Sequence, residues 1–195
     1  MRKIRFSIPI TLDGYIEGPQ HELDWVIADD ELHDFYTDLL QNADLMLYGR
    51  LTYQLMQGFW PTASSDPDAS PGMLRFAAAL NPMRKLVFTR TLREAGWNTQ
   101  IAPCLDISEI ITLKSQPGAD ILLGGGASLA QQFMKLGLVD EYQLVVMPVV
   151  IGKGKALFQA VSGLPRMSLQ WTRVFKSGAV VLCYRPDGKL ALKAG

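Results

Sequence analysis

The chain has few cysteines and no excess of charge. Its 195 residues contain 2 cysteines, and 19 lysines and arginines balance 19 aspartates and glutamates. Cys104 and Cys183 lie far apart, with no further residue at metal-ligand spacing, so the sequence predicts neither a disulfide framework nor a metal site. Unpaired cysteines are typical of a reducing compartment, and we therefore expect a cytoplasmic protein.

The chain also lacks a basic stripe and a long apolar run. Without clustered lysines and arginines, the electrostatic signature of a nucleic-acid-binding protein is missing. The uncharged stretch 121–134 contains three glycines and is shorter than the ~18 apolar residues that a membrane span needs. Near the start, Pro9 and Asp13 interrupt the apolar residues before they could form a signal-peptide core. We therefore expect a small-molecule substrate, with neither nucleic acid nor membrane as a partner.

What the sequence does contain is an alternation of apolar strands and amphipathic helices. A chain of this length can bury roughly 70% of its surface in one core, so we expect a single domain over residues 1–195. Strands that alternate with helices predict parallel pairing with right-handed crossovers. The predicted strands are 4–12, 45–48, 85–88 and 120–123; the predicted helices are 29–42, 49–58, 71–80, 106–113 and 127–136, and a mobile surface loop is predicted over 59–71.

The C-terminal part has a different pattern. A long apolar run, 142–150, precedes two strand-like runs, 169–175 and 179–185, that flank the turn Lys176-Ser177-Gly178. Two such runs around a short turn predict an antiparallel hairpin. We therefore predict a three-layer α/β protein with a mixed, mostly parallel sheet of about eight strands, the hairpin at one edge and helices on both faces.

Three consecutive glycines, residues 124–126, follow the predicted strand at 120–123. They could let a phosphate approach bare N–H groups at the start of the next helix. They could equally form a tight packing turn between a strand and a helix. The spacing fits neither the Walker A motif nor the Rossmann fingerprint, whose third glycine would fall at Leu129.

Two further predicted strands end in residues suited to phosphate binding. Gly49, Arg50 and Thr52 follow one strand, and Thr89 and Arg90 follow another. Because the carboxyl ends of parallel strands meet at one edge of a sheet, we expect these residues to lie near the glycines. A planar guanidinium suits a 2′-phosphate, which favours NADPH over NADH, although an arginine considered alone is typical of a solvated surface.

Five short segments along the chain together resemble one protein family. They are Thr11-Leu12-Asp13-Gly14-Tyr15-Ile16, Gly49-Arg50-Leu51-Thr52-Tyr53, Lys85-Leu86-Val87-Phe88-Thr89-Arg90-Thr91-Leu92, Gly124-Gly125-Gly126 through Gly137-Leu138-Val139-Asp140-Glu141, and Pro148-Val149-Val150-Ile151-Gly152-Lys153-Gly154. Their order resembles the dihydrofolate-reductase-like family, and within it the reductase domain of the bifunctional riboflavin-biosynthesis deaminase-reductase and its stand-alone relatives. The resemblance implies an NADPH-dependent reductase that transfers hydride to a ribosylaminopyrimidine or to a related pyrimidine or pterin.

The resemblance also implies which residues bind the cofactor. The segment at Gly49, Arg50 and Thr52 would hold the pyrophosphate and the adenine-side phosphate. The pair Thr89 and Arg90 would lie beside the 2′-phosphate and adenosine. The glycines Gly124, Gly125 and Gly126 would approach the pyrophosphate, and Asp13 and Gly14 would lie near the nicotinamide.

On the substrate side, the family pattern places its acidic residue near Asp34. This carboxylate would assist protonation or hold the polar edge of a pyrimidine or pterin ring. The helical wheel, however, puts Asp34 opposite the apolar face that includes Leu32 and Phe35, so a solvated carboxylate is the alternative. Trp25 could line the substrate pocket or serve as a core anchor.

The chain departs from the family in two respects. The deaminase signature, His-x-Glu followed by Pro-Cys-x-x-Cys, does not occur, so we expect no deaminase domain. No pocket for a ribosyl phosphate is evident, and Ile8-Pro9-Ile10 stands where relatives carry small residues. A dihydrofolate or pteridine reductase is therefore one alternative, and a non-catalytic nucleotide-binding or sensor protein is another. The apolar C-terminal strands predict a homodimer.

Overall fold

The computed structural model describes residues 1–124, 126–158 and 166–188. None of the helices in these ranges combines the length and the apolar character that crossing a bilayer demands. The elements are β1 (Ile4–Thr11), β2 (Tyr15–Glu17), α1 (Asp30–Gln41), β3 (Ala43–Gly49), α2 (Arg50–Phe59), a 3-10 helix (Trp60–Ser65), α3 (Pro71–Leu80), β4 (Arg84–Phe88), β5 (Thr99–Ala102), α4 (Ile107–Ser115), β6 (Asp120–Leu123), α5 (Ala127–Lys135), β7 (Glu141–Met147), β8 (Lys155–Ala156), β9 (Met167–Val174) and β10 (Val180–Pro186).

The fold is of the predicted α/β class. Eight strands form a mixed, mostly parallel sheet that includes an antiparallel C-terminal pair, β9 and β10. The chain divides into two compact units, the first made of Met1–Arg2 and Ala28–Gly126, the second of Lys3–Ile27 and Ala127–Gly195. The predicted fold class and C-terminal hairpin are thereby confirmed.

The first unit contains four parallel strands in the order β5, β4, β3, β6. On β3, the consecutive residues Leu45, Met46, Leu47 and Tyr48 are all buried. A strand that is buried on both faces is typical of a parallel sheet covered by helices. The continuous apolar run in the sequence therefore reflects the central position of β3 in this unit.

Helices α1 and α3 of the first unit pack closely against each other. Asp29 caps α1 by accepting a hydrogen bond from the Leu32 amide at 2.8 Å. The Asp30 carboxylate then accepts hydrogen bonds from the Ser70 hydroxyl and from the Gly72 amide at the start of α3. A Cβ on Gly72 would lie 2.8 Å from the Asp30 Cα, so the close approach of the two helices requires glycine at this position.

The second unit contains β1, β7, β10 and β9 in that order. Strands β1 and β7 are parallel, whereas β10 is antiparallel to both β7 and β9. A separate antiparallel pair joins β2 to β8. Gly154 has φ +152, and a Cβ there would lie 2.3 Å from the Glu17 carbonyl oxygen, so this pair requires a glycine beside it.

Most predicted boundaries agree with the structure, and the differences have local causes. Helix α3 has the predicted bounds, but β7 ends at Met147 rather than at residue 150. Strand β5 was not predicted, because four residues with one large aliphatic side chain carry little periodic signal. The predicted loop 59–71 contains a 3-10 helix that begins at Trp60, whose ring packs 4.6 Å from that of Phe76.

We predict that Gly72→Ala lowers the free energy of unfolding by about 1–3 kcal/mol, because the new methyl group would push α1 and α3 apart. Gly58→Ala is the matched control. Gly58 also lies within a helix, but a Cβ there would have no atom within 4 Å, so alanine should stabilise the protein by about 0.5–1 kcal/mol. Chemical denaturation measures both values. Equal effects of the two substitutions would contradict the proposed role of Gly72 in helix packing.

Candidate functional site

Three turns meet at one edge of the sheet in the first unit. In the parallel pairing, Gly49 lies opposite Phe88, Phe88 lies opposite Ala102, and Leu47 lies opposite Leu123. The turns that begin at Gly49, Thr89 and Gly124 therefore leave the sheet side by side. This edge, at the carboxyl ends of parallel strands, is where ligands of open α/β sheets bind.

A side-chain hydrogen bond fastens two of these turns together. The Gly126 amide donates to the Thr52 hydroxyl oxygen at 2.9 Å. A Cβ on Gly126 would lie 3.2 Å from the same oxygen, closer than nearly all real contacts of this kind. The pair thus links the first turn of α2 to the segment that leads into α5.

The start of α2 is well suited to an anion. Its N-cap residue is Gly49, which offers no side chain to the first N–H groups, and no acidic residue lies in the first turn. Unpaired N–H groups at a helix start attract negative charge. The Arg50 guanidinium adds a positive charge there, and its hydrogen bond at 2.8 Å is to the neutral side chain of Gln54.

Gly124 and Gly126 have different structural roles. A Cβ on Gly124 would lie 3.0 Å from Tyr48 Cε1 and 3.1 Å from Met46 Sδ, so close packing favours glycine at this position. Its amide also donates to the Leu47 carbonyl at 3.0 Å. Gly125 lies outside the described residues. The packing-turn interpretation therefore accounts for Gly124, and phosphate binding by the three glycines stays a prediction.

The turn after β4 is built by Thr89. Its buried hydroxyl oxygen accepts hydrogen bonds from the Thr91 and Leu92 amides, both at 3.2 Å. Arg90, between them, is exposed. The structure thus assigns Thr89 a role in shaping the turn and leaves the Arg90 side chain accessible, while the contacts of both residues with a cofactor stay predictions.

Contacts that the sequence did not predict join α2 and β4 to residues 96–97. The fully buried Tyr53 of α2 donates its hydroxyl hydrogen to the Gly96 carbonyl at 3.0 Å. The buried ammonium of Lys85 lies 4.0 Å from the centre of the Trp97 ring. Tyr53 belongs to a segment that carries the family resemblance, which is a signal for Tyr53, whereas no sequence pattern marks the partners in residues 96–97.

Asp34 has a charged partner in the first unit. Its two carboxylate oxygens accept hydrogen bonds from Arg75 Nε at 2.8 Å and Arg75 Nη2 at 3.0 Å. The hydrogen bond to this carboxylate raises the pKa of Arg75. The Asp34 side chain is 44% exposed, as the helical wheel predicts for a position opposite the core. Its role in protonation or substrate binding stays a prediction.

Asp13 and Gly14 organise a turn within the second unit. The Asp13 carboxylate accepts hydrogen bonds from the Gly152 amide at 2.7 Å and the Ile151 amide at 3.4 Å. Hydrogen bonding by Thr11 and by these amides lowers the pKa of Asp13, and Gly14 adopts φ +84. Two of the five family-like segments are therefore joined here, and their position near a nicotinamide stays a prediction.

Trp25 lies in the second unit and is half-buried. Its indole Nε1 donates to the Glu22 carbonyl at 3.2 Å, a contact within its own loop. It is not one of the buried apolar residues that form the core. Its place in a substrate pocket stays a prediction.

The chain matches the family model described as the RibD C-terminal domain over residues 2–181. It is similar to the uncharacterized protein YyaP of Bacillus subtilis (strain 168), with 38% identity over 187 residues and 96% of each chain covered.

Solved structures share the fold at lower identity. A riboflavin biosynthesis protein from Shewanella sp. PV-4 superposes with a TM-score of 0.73 at 22% identity, covering 96% of this chain and 100% of that one. A diaminohydroxyphosphoribosylaminopyrimidine deaminase/5-amino-6-(5-phosphoribosylamino)uracil reductase from Thermotoga maritima gives 0.66 at 19% identity, covering 95% of this chain, which spans 56% of that protein. Dihydrofolate reductase from Enterococcus faecalis, complexed with NADP(H), gives 0.63 at 12% identity, covering 95% and 97%. These likenesses support the predicted dihydrofolate-reductase-like fold.

Proposed function

The chain belongs to the family of RibD C-terminal domains, a reductase family of riboflavin biosynthesis, and on that premise we propose that it is a cytoplasmic NADPH-dependent reductase. We propose a ribosylaminopyrimidine, or a related pyrimidine or pterin, as its substrate. The observation that carries this proposal is the meeting of three turns at one sheet edge in the first unit, with Arg50 and Arg90 on two of them.

The residues at this edge fit an elongated anion such as a dinucleotide. The uncapped start of α2 and the Arg50 guanidinium supply positive charge beside the Thr52 and Gly126 pair. Arg90, on the neighbouring turn, is exposed and can form charge-assisted hydrogen bonds to a phosphate. Bound NADPH would supply the hydride, while the chain provides binding and orientation.

A non-catalytic nucleotide-binding role is the second candidate. The observation that favours it is the bidentate pairing of Asp34 with Arg75, because an arginine favours the ionised carboxylate over a proton donor. The rate of NADPH oxidation is measured in the presence of the riboflavin precursor, in the presence of dihydrofolate and without substrate. These three rates separate the two reductase candidates from a binding protein.

The cofactor proposal predicts that Arg90→Gln weakens NADPH binding about tenfold and leaves NADH binding within twofold, because the lost guanidinium would serve the 2′-phosphate. Isothermal titration calorimetry measures both dissociation constants. Arg84→Gln is the matched control, since Arg84 is an exposed arginine at the start of β4, whereas Arg90 follows the end of that strand. Wild-type protein that binds the two nucleotides equally well would refute the preference for NADPH.

The catalytic proposal predicts that Asp34→Asn lowers kcat/KM at least tenfold without changing the dissociation constant of NADPH. Arg75→Gln removes the same ion pair but keeps the carboxylate, so its kcat/KM should fall far less. Steady-state kinetics and thermal unfolding of both variants distinguish the roles. If the two variants lose activity and stability in parallel, Asp34 serves only to join α1 to α3.

We also propose that a second copy of the chain covers β9. This strand is the outer one of the second unit, and its side chains Leu169 and Val174 are 53% and 70% exposed. Outer strands with exposed apolar residues are usually covered. Their register partners on β10, Tyr184 and Val180, point to the same face of the sheet, so Leu169 and Val174 form an apolar strip that Thr172 interrupts.

The proposed homodimer predicts that Val174→Lys shifts the protein toward the monomer, because a lysine would be desolvated in the interface. Light scattering coupled to size exclusion measures the mass. Lys176→Glu, in the adjacent turn, is a control that changes charge without touching the apolar strip. A monomeric wild-type protein at micromolar concentration would eliminate this proposal.

A further inference from the structure

The connection between β4 and β5, residues 89–98, ends in an unusual backbone conformation. Trp97 has φ 58 and Asn98 has φ 53, two consecutive residues other than glycine in the left-handed region. Such conformations persist where the surroundings hold them in place, and they often mark functional segments. We call residues 89–98 the β4–β5 loop.

Several contacts hold the end of the β4–β5 loop. Trp97 Nε1 donates to Asn81 Oδ1 at 2.8 Å, and Asn98 Nδ2 donates to the Pro82 carbonyl at 2.8 Å. The Lys85 amide donates to the Asn98 carbonyl at 2.9 Å. The loop end is therefore fixed on the segment that joins α3 to β4.

Tyr53 makes the connection from this loop to α2. Its ring is fully buried, its hydroxyl donates to the Gly96 carbonyl at 3.0 Å, and its ring centre lies 6.3 Å from that of Trp97. Tyr53 follows Arg50 by three residues, so it lies one helical turn from the start of α2. One hydroxyl thus joins the helix that begins with Arg50 to the loop that carries Arg90.

We propose that Tyr53 is a positioning residue that sets the distance between Arg50 and the β4–β5 loop, and thereby determines the discrimination between NADPH and NADH. This inference rests on the proposed function. Without the bond from Tyr53 to Gly96, Arg90 would be held less firmly opposite the start of α2, and recognition of the 2′-phosphate would weaken. Contacts with the rest of the dinucleotide would be retained, because Thr52 and Gly126 remain joined.

The test compares Tyr53→Phe with Tyr48→Phe. The first substitution removes only the hydroxyl that binds Gly96. The second removes a hydroxyl that is also buried but has no hydrogen-bond partner within the described residues.

Calorimetric titration with NADPH and NADH gives the ratio of their dissociation constants, and hydrogen exchange of the free protein reports on amides 89–98. Tyr53→Phe should raise the dissociation constant of NADPH five- to tenfold, that of NADH less than twofold, and speed exchange in the β4–β5 loop. Tyr48→Phe should change neither the two dissociation constants nor the exchange in the β4–β5 loop.

The outcomes separate this inference from the proposed function. Wild-type protein that binds neither nucleotide would refute the proposed function, and the selectivity role of Tyr53 with it. Normal wild-type binding with an equal loss of both nucleotides in Tyr53→Phe, or with unaltered exchange in the loop, would overturn the positioning role alone. Trp97→Phe provides a second variant: it keeps an aromatic ring but loses the bond to Asn81, and it should also raise the dissociation constant of NADPH relative to that of NADH.

Discussion

The candidate site depends on the register between β3 and its two neighbours in the first unit. Because Gly49 lies opposite Phe88 and Leu47 opposite Leu123, three strands end at nearly the same height. A shift of one residue would turn the buried side chains of β3 toward the opposite face and separate Thr52 from Gly126. The packing of β3 side chains on both faces therefore fixes the positions of the turns. The positions of Arg50 and Arg90, which lie on two of these turns, depend on the same packing.

The β4–β5 loop stores conformational energy that the surrounding residues offset. Lys85 provides much of this stabilisation. Its ammonium donates hydrogen bonds to the carbonyl oxygen of Leu80 at 2.9 Å, at the end of α3, and to that of Met83 at 2.7 Å, just after the helix. Burial lowers the pKa of Lys85 to about 8, whereas the carbonyl oxygens and the Trp97 ring favour the charged form. Replacing Lys85 by an apolar side chain would leave these buried carbonyl oxygens unpaired. The one ammonium therefore both pairs carbonyl groups at the end of α3 and contacts the Trp97 ring of the loop.

The sequence predicted what depends on local pattern and missed what depends on distant partners. Helix α3 has the predicted bounds, and its start is set locally, since Ser70 caps it and Pro71 lies in the first turn. The convergence of the three turns followed from the alternation of strands and helices. The bond from Tyr53 to Gly96 joins residues 43 positions apart, and no periodicity encodes it. The same holds for Gly72, whose need for glycine comes from a clash with another helix.

Asp34 shows how tertiary contacts change the meaning of a sequence motif. Paired with Arg75, its carboxylate is favoured in the ionised form, which accepts hydrogen bonds but has no proton to donate. The side chain nevertheless remains partly exposed. Of the two roles predicted for it, holding the N–H edge of a heterocycle is therefore the better match to its surroundings. Delivery of a proton would require the carboxylate first to take one from solvent, against the attraction of the guanidinium.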